Sequence, residues 1–217
     1  MTQVEFRQYA KDGNIEMIKK GLEQKTIDVN KKSRSGDTTI SEVIRVPSFT
    51  SKMSNNHLKI MEMLLKKGAT VSYYDYGSLA MYGHLEPLKL VYKYHTKRIG
   101  IDMGSGGFSS SVFNGHTSTV EFILKNANNE SGYNPVVLLH VILSAASQIK
   151  LDMFKLLYSY IDRPNIHNND HILAIFKKTK NEEIKKIILS TQSVVDTAVE
   201  NAQEELYPAS VKDIFLF

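Results

Sequence analysis

The chain has 217 residues, 42% of them apolar and 23% charged, and a formal charge of +4. That is enough apolar material for a sizeable core, and lysines alternate with acidic residues along most segments, which argues against a nucleic-acid-binding tract. No cysteine is present, so disulfides and thiolate metal sites are excluded, and no apolar run reaches the roughly 18–20 residues that span a bilayer. Met1–Arg7 lacks the apolar stretch of a signal peptide, and a cytoplasmic, monomeric protein is the expectation.

In chain order, Phe6 to Asn14 predicts a helix ending at the glycine turn Asp12-Gly13-Asn14, and a second helix runs from Ile15 to about Gln24. Ile27-Asp28-Val29-Asn30 then leads to Gly36-Asp37-Thr38-Thr39-Ile40, where the next helix begins. About ten extra residues follow, Pro47 to Asn55, rich in hydroxyl and amide side chains and expected to form a surface loop. Asn56 to Val71 is the clearest block in the chain. Met61, Leu64 and Leu65 share one helical face, Lys66 and Lys67 suit the dipole at the last turn, and Gly68 supplies a left-handed stop.

The same apolar trio recurs. Ile18/Gly21/Leu22, Met61/Leu64/Leu65, Leu88/Val91/Tyr92, Val120/Ile123/Leu124, Met153/Leu156/Leu157 and Ile184/Ile187/Ile188 begin 43, 27, 32, 33 and 31 residues apart. A period near 33 with two helices per unit predicts an all-α array over residues 1–190. The third unit is short, with eleven residues between Val71 and Gly83, which puts Tyr73-Tyr74-Asp75-Tyr76 on a cramped connection. Its second helix, Glu86 to Tyr94, carries Pro87 in the first turn, where proline is tolerated. Gly104-Ser105-Gly106-Gly107-Phe108 opens a short helix ending at Asn114-Gly115-His116, and Thr117 to Leu124 forms the helix after it. Val136 to Leu143 is the most apolar inner helix, and Ile172 to Leu189 carries Lys177, Lys178, Lys180, Lys185 and Lys186 and reads as more solvated. Beyond Ser190 the period stops, and Val194, Val195, Ala198, Val199, Ala202 and Leu206 predict one capping helix within residues 191–217.

These residues resemble the ankyrin repeat family. Gly36, Thr38, Thr39 and Ile40 match the start of its pattern, with Thr39 in place of proline and Ser41 in place of histidine. His57, Leu64, Leu65, Gly68, Ala69 and Val71 match the rest of that unit, and Gly83-His84 and Gly115-His116 repeat the turn between the helices. The resemblance covers about residues 5–125; from 135 to 190 only the apolar spacing continues it. It implies an ankyrin-like helical solenoid of stacked helix-turn-helix repeats, and a non-catalytic scaffold that binds a protein partner on a concave face of hairpin tips and inner helices.

For that face Tyr73, Tyr74 and Tyr76 are the leading candidates, because tyrosine offers a large contact area at low entropy cost. Asp75 between them, Arg34 ahead of Gly36, and Phe49 in the inserted segment complete the expected contact set. The competing reading of the tyrosines is that they fill space left by the short connection.

Enzyme signals are weaker. Ile99 to Gly107 is similar to the phosphate-binding loop of actin-like and sugar-kinase ATPases, but it coincides with an inter-repeat turn and lacks a Walker ending, so no cofactor is expected. His167-x3-His171 could ligate a metal on one helical turn, yet has no third ligand nearby; Asp170 reads better as a helix cap, and no metal is expected. Ser109-Ser110-Ser111 has no partnered His and Asp. Glu200, Glu204 and Glu205 followed by Ile214-Phe215-Leu216-Phe217 are similar to the C-terminal secretion signals of type IV effectors of intracellular bacteria. This is the first alternative function: a bacterial effector, or a viral host-interaction factor, acting in the host cytoplasm on a host protein; a nucleotide-binding enzyme using Asp102 to Gly107 is the second.

Overall fold

Small polar residues set where the helices begin. In the computed structural model, which describes residues 1–46, 52–95, 106–126, 135–161 and 169–190, the side chains of Thr2, Asn14, Thr38, Ser54, Ser72 and Asn181 each accept a hydrogen bond from a backbone N–H in the first turn of the helix that follows. Each satisfies a donor the helix leaves orphaned, and such a cap contributes about 1 kcal/mol. The stop of the clearest block is as predicted: Gly68 sits at φ +84°, a conformation that costs an L side chain strain.

Twelve helices, and no strand, occur among the described residues. The chain divides into two compact units, 1–132 and 133–217. The first unit holds α1 (Gln3–Lys11), α2 (Ile15–Leu22), α3 (Thr39–Ile44), α4 (Asn55–Lys66), α5 (Tyr73–Met81), α6 (Leu85–His95), α7 (Gly106–Phe113) and α8 (Thr117–Asn126). The second holds α9 (Pro135–Ala145), α10 (Leu151–Ser159), α11 (Asn169–Lys178) and α12 (Glu182–Leu189).

The helices work in consecutive pairs. In the first unit the opening helices meet in the series α1, α3, α5, α7, and the second helices in the series α2, α4, α6, α8. In the second unit α9 meets α11 and α10 meets α12 in the same way. The apolar trios supply the buried seam of the second helices: all of Met61/Leu64/Leu65 and Val120/Ile123/Leu124 are buried, as are Ile18, Leu88, Val91, Met153, Leu157, Ile184 and Ile188. Burying each large aliphatic side chain stabilises by roughly 1.5–3 kcal/mol. Gly21, the one non-apolar member of a trio, is glycine because the Phe6 ring occupies the space a Cβ would need.

Polar side chains stitch neighbouring pairs at nearly the repeat distance. Asn114 Nδ2 donates to Met81 O at 2.9 Å across 33 residues, Ser41 Oγ to Asp75 at 2.7 Å across 34, and Tyr94 Oη to Glu62 at 3.1 Å across 32. Asn30 joins the first two pairs, donating to Gly68 O at 2.9 Å and accepting from Thr70 N at 2.8 Å. His57 Nε2 lies 2.7 Å from Lys11 O, an atom that only accepts, so that nitrogen carries the proton while Nδ1 faces Ser54 Oγ at 2.7 Å.

Two expectations change here. The extra segment after the third helix is not wholly a surface loop, since Met53 is buried, Ser54 caps α4, and Asn55 is its first residue. More important, Tyr73-Tyr74-Asp75-Tyr76 is not a cramped connection but the first turn of α5. Ser72 and Asp75 form a reciprocal capping box, a helix-start signal that the Ser-x-x-Asp spacing carries locally. Phe49, Asp102, His167 and the predicted capping helix of 191–217 lie outside the described residues.

Candidate functional site

Once residues 73–81 are helical, the fate of the four candidates follows from 100° steps around the axis. Tyr73 and Tyr74 point outward, 50% and 80% exposed, with rings edge to face at 6.2 Å and 79°. Ser78 Oγ donates to Tyr74 O at 2.9 Å, one turn further on. Tyr76 turns inward and is 5% exposed, and Asp75 is 1% exposed. These two are therefore corrected from contact residues to interior ones.

Asp75 is the polar centre of this region. Its Oδ2 accepts three hydrogen bonds: from Ser41 Oγ at 2.7 Å, Ser72 Oγ at 2.6 Å and Ser72 N at 3.1 Å. Because Ser41 spends its proton on Asp75, the 2.9 Å contact between Thr38 Oγ1 and Ser41 Oγ has Thr38 as donor. Oδ1 has no hydrogen bond and faces Arg45 Nη2 at 3.6 Å. Arg45 spends its other terminal nitrogen on Asp37 Oδ1 at 2.6 Å, and this hydrogen bond is the main cause holding the Asp37 carboxyl below the usual carboxylate range. One guanidinium thus ties the end of the loop before α3 to the first turn of α5.

That loop is itself built. Gly36 N donates to Ser33 O at 3.0 Å and Ser33 N to Asp37 O at 2.7 Å, closing a tight turn with Arg34 on it. Ser35 Oγ donates to Asp37 Oδ2 at 3.1 Å, and Asp37 N donates to Ser33 Oγ at 3.2 Å. Arg34 is exposed, as are Lys31 and Lys32 just before the turn. Among the described members of the expected contact set, Arg34, Tyr73 and Tyr74 are exposed, and the turn that carries Arg34 is tied through Asp37 and Arg45 to the first turn of α5.

The Tyr76 hydroxyl is buried without a hydrogen-bond partner, and burial pushes its pKa upward. Tyr76→Phe should leave stability unchanged or raise it by up to about 1 kcal/mol, read as the urea midpoint, because it removes an unpaired polar atom and keeps the ring.

Candidate catalytic groups are scattered or buried. Gly106 and Gly107, the described end of the ATPase-like stretch, form the first residues of α7 rather than a loop. Ser111 is fully buried and its Oγ is unpartnered. No group of three potential metal ligands occurs among the described residues. An open groove between the starts of α2 and α4, about 650 Å³ in volume, is lined by Asn14, Glu16, Lys19, Asn56, Lys59 and Glu62 among others; Glu16 pairs with Lys19 at 2.7 Å and Glu62 with Lys66 at 3.1 Å.

His84 belongs to the scaffold. It is buried at the turn between α5 and α6, its Nε2 has no hydrogen bond, and desolvation followed by the nearby His116 lowers its pKa below the ordinary 6.5. Below that value the unfolded chain takes up a proton that the folded chain resists. The contribution is harmless well above pH 6.5 and becomes destabilising as pH falls from 6.5 toward the lowered folded value. Urea midpoints should therefore drop between about pH 7.5 and about pH 5, and the drop should be smaller in His84→Asn.

No protein-family model, curated protein or solved structure matches the chain. No helix among the described residues is long and apolar enough to cross a membrane.

Proposed function

We propose that this chain is a non-catalytic, ankyrin-like scaffold that binds another protein at the edge formed by the turn at Arg34 and the start of α5. The observation that carries the reading is the outward pair Tyr73 and Tyr74 on a helix start fixed from behind by Asp75. Large aromatic side chains in the open cost solvation, and soluble proteins use Tyr heavily where they meet partners. Supporting it are the paired helices, their in-register stacking within each unit, and polar links at sequence separations of 32, 33 and 34. A stack of this kind offers a rigid surface on which contacts from successive units add.

The test is a photo-crosslinker, benzoylphenylalanine, placed at Tyr74 in the full chain and irradiated in an extract of the source cells. A discrete crosslinked protein, lost when Tyr73 and Arg34 are both changed to alanine, is the expected result. Tyr76 stays untouched, because truncating its buried ring would disturb the core and blur the outcome. If position 74 yields no protein adduct while a crosslinker on another surface of the same unit does, the proposed edge is wrong.

A further inference from the structure

The chemistry around the two tyrosines says what kind of partner would fit, and this inference rests on the protein-binding reading above. Lys31, Lys32 and Arg34 stand exposed within four residues of one another, and none of them forms an ion pair among the described residues. Elsewhere in the first unit exposed cations divide: Lys20, Lys25, Lys52, Lys59 and Lys67 also stand without an ion pair among the described residues but are spread along the chain, while others have a carboxylate at hand. Lys19 has Glu16, Lys66 has Glu62, Lys89 has Glu86, and Lys125 has Glu121, at 2.5–3.1 Å. Here the nearby acids are already engaged. Asp37 is held by Arg45, Ser35 and its own turn, and Asp75 is buried under Ser41, Ser72 and Arg45. Asp28 Oδ1 accepts from Asn30 N at 2.9 Å.

The segments that carry the tyrosines and these cations are neighbours, tied together by three sets of contacts. Asn30 bonds Gly68 O and both Thr70 N and Thr70 Oγ1, so the strand of chain entering the loop lies beside the strand entering α5. Arg45 spans Asp37 and Asp75, the residues that follow the turn and follow Tyr74 respectively. Ser41 of α3 bonds Asp75 of α5 directly. The patch thus combines three unpaired cations, a half-exposed Arg45 and two exposed phenol rings.

We infer that the partner segment bound at this edge is acidic, carrying carboxylates for Lys31, Lys32 and Arg34 and an apolar side chain for Tyr73 and Tyr74. Opposite charge steers the encounter and fixes the register, and the rings supply the contact area that charges alone do not. The two exposed rings favour a protein segment over a bare polyanion. A bare phosphate or a lipid headgroup would be drawn by the cations but would leave the rings unused, and a single strand, whose bases can stack on tyrosine, is told apart by competition with oligothymidylate.

The test titrates the full chain with a fluorescein-labelled peptide of repeated Glu-Glu-Leu-Glu, read by fluorescence anisotropy. A lysine-for-glutamate version, labelled oligothymidylate and phosphatidylserine vesicles serve as competitors. Saturable binding of the acidic peptide is expected, weakened by raising NaCl from about 0.05 to about 0.5 M. A roughly tenfold loss is expected in the Lys31→Ala/Lys32→Ala/Arg34→Ala triple variant, and a comparable loss in Tyr73→Ala/Tyr74→Ala. Tighter binding of oligothymidylate or of vesicles than of the peptide would overturn the inference, as would a triple variant that binds the peptide unchanged. A crosslink from position 74 that survives the triple variant would also overturn it while leaving the scaffold reading intact, so the two failures are separable.

Discussion

Changing Gly107 to alanine should destabilise the first unit by about 2–3 kcal/mol, whereas the same change at Gly106 or Gly77 should not. A Cβ on Gly107 would lie 2.5 Å from Gly77 Cα and 2.6 Å from Gly77 O, atoms of the backbone of α5 that no side-chain rotation can move aside. The helices would have to separate, and the seam between α5 and α7 would open with them. The reverse substitution is different, because a Cβ on Gly77 would meet Gly107 Cα at 3.9 Å, an ordinary contact, and Gly106 faces open space. None of the three has a positive φ, so each can accept alanine without backbone strain. Gly77→Ala, in mid-helix, should gain up to about 1 kcal/mol from helix propensity. Urea denaturation followed by circular dichroism distinguishes the outcomes. Equal destabilisation by Gly77→Ala and Gly107→Ala would mean that the two helices are not in this register.

The second large effect is expected at Asp75. Asp75→Ala removes three acceptor contacts, leaves the buried Ser41 hydroxyl only its contact with Thr38, and breaks the capping box of α5, for a cost of about 3 kcal/mol. Asp75→Asn should cost less. All three donors converge on Oδ2, and an amide oxygen in that position can keep them, while its NH2 would face Arg45 in place of a carboxylate oxygen. Arg45→Ala should cost least, about 1 kcal/mol, because this arginine is half exposed and its approach to Asp75, at 3.6 Å, is an ion pair without a hydrogen bond. The predicted order is Ala, then Asn, then the arginine deletion, measured as shifts in the urea midpoint. If Arg45→Ala matches Asp75→Ala, charge rather than the serine hydroxyls holds this joint.

What could be read from the sequence was whatever is local or periodic. The trios marked the second helix of each pair because a 3.6-residue repeat leaves an apolar stripe wherever a helix is buried on one side. Met61, Leu64 and Leu65 are the clearest instance, and all three are buried. Leu156 and Ile187, read from the same spacing, are only half buried. The start of α5 is legible too, in the Ser72-x-x-Asp75 spacing, a capping signal that the shortness of the connection obscures. Asp75 itself could not be read as interior. A first-turn carboxylate is usually solvated, and the hydroxyl that draws this one inward comes from Ser41, 34 residues away. Gly107 misled for a similar reason. Glycines in a row suggest a turn, whereas here the absent Cβ makes room for another helix, a property of the pair and not of either sequence alone.

The close meeting of Gly77 and Gly107 also bears on recognition. With backbone against backbone, α5 has little room to roll about its axis or slide along its neighbour, so the positions from which Tyr73 and Tyr74 project are set by the α5–α7 seam. A surface prepared in this way loses little entropy on association. If the edge binds a partner as proposed, the conformational adjustment falls to the other molecule, which suits a pliant chain that takes its shape from what it touches.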